Sequence, residues 1–188
     1  MKILRTLSLS LSVLLPLSAV HTAHAQASIY GTISGTVYSD VHTDGLLFNG
    51  IYPGYGGGLT YIFVQRAVTV GIDLRDTVTP NTSGGNTAAV SVRLGFVPQQ
   101  YPCHPYFQIG PGFISAKVPA GYGTAAQTLD TAAVAVAWGL DVRVAPSLDI
   151  RAIEIGVDAG NKNSSAIQTT SFSAGIVYHF PHPQTKNP

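Results

Sequence analysis

Six charged side chains share one kind of placement. Asp73, Arg75, Arg93, Asp141, Arg143 and Glu154 each interrupt an apolar stretch, and all but Arg75, which Asp76 follows, have apolar neighbours on both sides. Three carboxylates and three guanidiniums so placed can form an acid–base cluster, an ion path or a set of neutralising pairs. Catalysis needs a nucleophile and a base within hydrogen-bond reach. An ion path needs an open channel, whereas neutralising pairs need only a closed interior where unpaired charge is costly. Beyond residue 25 the histidines are His42, His104, His179 and His182. His42 is isolated, and no Ser–His–acid set emerges from the spacing. His104 beside Cys103 lacks the further ligands of a metal site. The lone Cys103 has no intramolecular disulfide partner and reads as an incidental turn residue. The glycine runs Gly54–Gly58 and Gly110-Pro111-Gly112 lack the following Lys and helix of a phosphate loop. No cofactor and no metal is expected.

What these residues do depends on what holds them. Gly and Pro punctuate eight segments: Ser28–Ser39, Tyr55–Val64, Ala67–Val78, Thr87–Val97, Pro105–Val118, Thr131–Val144, Leu148–Ala159 and Ser171–Phe180. Several alternate with period two, the mark of a strand whose faces meet different surroundings. Val68, Val70, Ile72 and Leu74 oppose Thr69, Gly71, Asp73 and Arg75, and the segments around Arg93 and Asp141 do the same. The six charges thus fall on the polar faces. The hairpin around Ser83 is expected to bring Asp73 opposite Arg93, and the turn at Pro146 to bring Glu154 near Asp141 and Arg143. Asp76, Lys117, Asp149 and Arg151 break the alternation near segment ends. A bulge early in the seventh segment would turn Arg151 inward; the pattern leaves both orientations open.

Composition narrows the class. The chain has 188 residues, a formal net charge of +1 and 10% charged residues, against roughly 25% in an ordinary soluble protein. That charge gives no case for nucleic acid. Residues 1–25 read as a secretory signal: Lys2 and Arg5, an apolar run from Leu7 to Val20, then Ala23-His24-Ala25. Beyond it no apolar run approaches the roughly 20 residues of a spanning helix. An exported, charge-poor, apolar chain without spanning helices has a closed barrel as its membrane solution. The expectation is an all-β, eight-stranded antiparallel up-and-down barrel over 26–180, with a polar, disordered tail at 181–188. Such a lumen is filled by side chains, so the six charges are read as a salt-bridge plug. Phe63, Phe96, Phe107 and Trp138 are read as an aromatic girdle.

The end of the chain carries a resemblance. Ser173-Ala-Gly175-Ile-Val-Tyr178-His-Phe180 is similar to the polar-x-Gly-x-x-aromatic-x-aromatic signal that closes outer-membrane barrels. The chain as a whole resembles the small OmpA-like and OmpX-like barrels, the outer-membrane β-barrel or porin-family type. The resemblance implies recognition by the barrel assembly machinery, outer-membrane lipids as surroundings and contact through extracellular loops. The loop Asp40–Gly54, with Phe48, Tyr52 and Pro53, is the best candidate contact for a surface partner. One departure is that residues continue past Phe180. A non-enzymatic structural, adhesive or surface-binding role is expected. The rivals are a small porin, a soluble lipocalin-like periplasmic barrel and a lipid-modifying barrel enzyme.

Overall fold

The computed structural model describes residues 26–40, 45–46, 50–80, 84–98, 101–118, 127–162 and 165–181. Residues 1–25, 182–188 and Phe48 lie outside these, and with them the signal segment and nearly all of the tail. Eight long strands follow one another: β1 (Gln26–Asp40), β2 (Tyr52–Gln65), β3 (Val68–Val78), β4 (Gly85–Phe96), β5 (Cys103–Val118), β6 (Gln127–Ala145), β7 (Leu148–Lys162) and β8 (Ser165–His179). A two-residue strand, Gly45–Leu46, extends one edge of β1. Each long strand pairs antiparallel with the next, and β8 pairs with β1 from Ser28↔His179 to Asp40↔Ile167. The sheet is therefore a closed barrel with no free edge.

Closure is staggered. The cross-strand row through Tyr30, Gly58, Arg75, Ala89, Gly112, Ala133, Gly160 and Ile167 returns to β1 at Asp40, ten residues beyond its start. Such stagger obliges the strands to tilt against the barrel axis. The end bearing Gln26 and His179 is called the near end, and the opposite end the far end.

All eight strands fall where the segments place them, but three of the connections between them are shorter than expected. The segment expected as a Gly160–Thr170 loop is mostly strand, because β7 and β8 continue their pairing to Lys162↔Ser165. β6 begins at Gln127, inside the expected Pro119–Asp130 loop. Tyr52 and Pro53, expected in a far-end loop, belong to β2.

The barrel is apolar outside and polar within. Ile33, Val68, Ile72, Val90, Val92, Ile109, Val134 and Ile176 all stand exposed on the outer wall. Asp73, Gln108, Asp141, Asp149, Arg151 and Glu154 are buried. β7 departs from simple alternation. Its pairing shifts by one residue between Arg151 and Glu154, and Ala152 and Ile153 are consecutively exposed. Ala152 is the extra residue of a bulge. Below it the odd positions Asp149 and Arg151 face inward; above it the even positions Glu154 and Gly156 do. Arg151 is thus inward, and Asp149, which reads as a break near a strand end, is inward too.

Candidate functional site

The chemistry concentrates in the lumen, in three tiers. The middle tier holds three acids and three arginines. Arg151, fully buried, donates through Nε to Asp141 Oδ1 at 3.0 Å and through Nη1 to Glu154 Oε2 at 3.1 Å. Arg93 Nη2 donates to Asp141 Oδ2 at 2.6 Å, and Arg75 Nη1 to Glu154 Oε1 at 2.8 Å. The Tyr106 hydroxyl also donates to Glu154, at 2.6 Å. Asp73 accepts from the hydroxyls of Tyr30 at 2.9 Å and Thr60 at 2.6 Å. With its amide oriented to satisfy both neighbours, Gln108 donates to Asp73 at 3.2 Å and accepts from Arg93 Nη1 at 3.0 Å.

Two tyrosine rings lie against two of the three guanidiniums. Arg93 lies 3.5 Å from the Tyr106 ring centroid, while Arg151 lies 4.1 Å from that of Tyr30 and 4.9 Å from that of Tyr106. Room for the rings comes from two inward glycines. A Cβ on Gly139 would meet the Tyr106 hydroxyl at 2.5 Å, and one on Gly58 would collide with Tyr30. Glycine is required at both positions by the close approach of a ring.

The membership of this tier differs from the sequence expectation in two ways. Asp73 and Arg93 do not pair directly: Asp73 is in register with Ser91, and Gln108 stands between the two charges. Arg143 is not a partner of Glu154 or Asp141; Arg151, turned inward by the bulge, takes that place. The two shortest pairs also cross the lumen between non-adjacent strands, β4 to β6 and β3 to β7, because tilt brings distant strands' inward residues to one height.

Arg143 belongs to a second tier at the near end. Its Nε donates to Asp149 Oδ1 at 3.1 Å, and its side chain is 42% exposed. His179 Nε2 and His104 Nδ1 approach Asp149 Oδ2 at 2.9 and 3.5 Å. They border a cavity of about 70 Å³, room for a couple of waters. The sequence does not reveal the carboxylate that both histidines share, since Asp149 reads as outward until the bulge is known. Among the described residues no hydroxyl or thiol bonds to either ring, and no group of three or more His, Cys, Asp or Glu residues could hold a metal.

The far-end tier is apolar. Tyr38, Ile114, Ala116, Ala133 and Ile167 form a buried cluster, with Tyr52 and Leu129 packed against it. Tyr38 and Tyr52 meet edge to face with centroids 6.2 Å apart. Tyr52, expected as a loop contact, instead helps close the lumen.

The aromatics expected as a girdle all face outward. Phe63, Phe96, Phe107 and Trp138 are exposed, with Trp138 near the middle of β6 and in register with Phe107. In the closing strand Ser173 donates to Glu154 Oε1 at 3.3 Å, Gly175 lies in register with Thr32, and Tyr178 and Phe180 meet edge to face at 5.5 Å on the outer wall.

A closed eight-stranded antiparallel barrel with a charged lumen and an apolar wall is the fold of the small outer-membrane β-barrels. The structure is similar to Ail, the attachment invasion locus protein of Yersinia pestis, with a TM-score of 0.58 at 16% identity. It is similar to the Neisserial surface protein A, NspA, at 0.56 and 14%, and to the N-terminal barrel of Pseudomonas aeruginosa OprF at 0.54 and 13%. Each likeness covers 84% of this chain and 100% of the other. The sequence matches no protein-family model and no curated protein.

Proposed function

We propose that the chain is an integral outer-membrane protein with a sealed lumen, acting through its surface in adhesion, binding or membrane structure and not through catalysis or conduction. The observation that carries this reading is the inverted polarity. A soluble ligand-binding barrel keeps apolar residues inside and polar ones outside. Here a belt of exposed Ile, Val, Leu and Phe surrounds a core of arginines and carboxylates. An apolar surface of that extent needs lipid around it. In this setting the near end is periplasmic and the far end extracellular.

Sealing is supported by the tiers. The middle tier fills the lumen with interlocked charges, and the apolar cluster caps it above. The name of Ail, an attachment and invasion protein, lends support to a surface role, and the signal Ser173–Phe180 to handling by the barrel assembly machinery. Two measurements test the reading. After osmotic shock the protein is expected to stay with the membrane fraction until detergent is added; release without detergent overturns the membrane assignment. In planar bilayers the folded barrel is expected to show no steady ohmic openings, and their appearance would overturn the seal.

A further inference from the structure

One outward carboxylate lies inside the apolar belt. Asp76 faces outward on β3, one step along the alternation from the inward Arg75, and is exposed. Its carboxylate meets the backbone of Thr77 and, among the described residues, no cation. Its cross-strand neighbours are both small: Gly57 on β2 and Ala88 on β4. Beyond Gly57 the row continues to Gly31, and beyond Ala88 it ends against the ring of Phe113. Leu59, Leu74 and Val90 form the next outward row toward the near end; Tyr55 and Val78 form the next one toward the far end. Gly57, Asp76 and Ala88 form the floor of a depression of about 660 Å³ on the outer wall, walled by Leu59, Leu74, Val90 and Phe113, and the small-residue row prolongs it as a trough toward Gly31.

Its height on the wall matters. The next outward residue of β4 beyond Ala88 is Asn86, and the outward face of β8 turns polar at Thr170. Asp76 therefore sits just inside the boundary of the apolar belt on its extracellular side. From there the strand tilt carries the small-residue row through Gly57 toward Gly31, deeper in the belt. An acid with no cation among the described residues, at the upper part of an apolar trough that descends into the bilayer, is complementary to a lipid whose head carries an ammonium and one of whose chains follows the trough.

We propose that this trough binds an amine-headed lipid, one acyl chain lying over Gly57 between Leu59 and Tyr55 and its ammonium donating to Asp76. The site rests on the membrane reading above. A primary ammonium gives Asp76 a charge-assisted hydrogen bond that a quaternary choline has no N–H to supply. The expected order of binding is therefore phosphatidylethanolamine, then phosphatidylcholine, then phosphatidylglycerol.

The test is native mass spectrometry of the full barrel. It is folded into mixed vesicles of these three lipids and extracted in mild detergent, with insertion scored separately by heat-dependent gel mobility. The wild type is expected to retain one phosphatidylethanolamine at about fivefold preference over phosphatidylglycerol. Asp76→Asn should bring that ratio to about one while lipid is still retained; Ala88→Leu, which fills the floor, should lower retention of all three. Both substitutions lie on the outer wall, and insertion is the control for folding. Equal retention by the wild type, or a preference unmoved by Asp76→Asn, overturns the proposal. Loss of the preference on chelating divalent ions would assign Asp76 to a bridging metal and overturn the amine. A barrel that never enters the vesicles refutes the membrane reading and the site together, whereas one that enters without preference refutes the site alone.

Discussion

The middle and the far end of the lumen are filled by opposite means. In the middle, three guanidiniums and three carboxylates interlock through directed bonds, with tyrosine rings as spacers. At the far end, Tyr38, Ile114, Ala116, Ala133 and Ile167 fill the same cylinder mainly with hydrocarbon, and the inward Asp158 beside them is held by the Thr169 hydroxyl rather than by an arginine. The difference follows from what lies outside each tier. Where the wall is apolar, polar side chains turn inward and must satisfy one another. Above the belt the outer face is itself polar, as at Gln168 and Thr170, and the lumen is free to hold an ordinary hydrophobic core. The first filling is specified by geometry, the second by volume.

That contrast can be broken most forcefully at Arg151. Arg151→Met strands Asp141 and Glu154 without their shared cation and is expected to cost about 3–5 kcal/mol, read as a lower urea midpoint for the vesicle-folded barrel. In the cap, Ile114→Ala removes a fully buried side chain and should cost about 2–4 kcal/mol; Ile114→Val should recover most of it, since volume and not bonding is at stake. Gly139→Ala forces a Cβ against Tyr106 and should cost about 1–3 kcal/mol, with Tyr106→Phe restoring part of the loss if the hydroxyl is the obstacle. Arg143→Gln is the smallest effect, at most about 1 kcal/mol, because its side chain is partly exposed. Raising salt to 1 M should shrink the Arg143 effect and leave that of Arg151 largely intact. Equal salt sensitivity of the two would erase the distinction between near-end and middle tiers.

The fold was legible because apolar and polar positions alternate, and a two-sided wall demands that alternation. The pattern fades where the two sides stop differing in the expected sense. Ser165–Thr170 looks like a loop because Ile167 is the buried residue there while Gln168 and Thr170 face out. The lumen's composition was also legible, but its partnerships were not. Hairpin neighbours are the natural guess for a pair, whereas tilt sets Arg93 against Asp141 and Arg75 against Glu154 across the lumen. Arg151 and Asp149 were hidden for a different reason: one additional residue changes the parity of everything before it, and no side-chain type announces that shift.

Ala152 consequently divides β7 into two independent phases. Deleting this one residue would leave Glu154, Gly156 and Asp158 facing inward while rotating Asp149 and Arg151 out of the lumen and Ile150 into it. Within a single strand, the bulge acts as a frame boundary between the near-end cluster and the upper half of the plug. Insertions and deletions, normally ruinous in a barrel wall, become at this position a way to exchange one set of interior side chains while keeping the other.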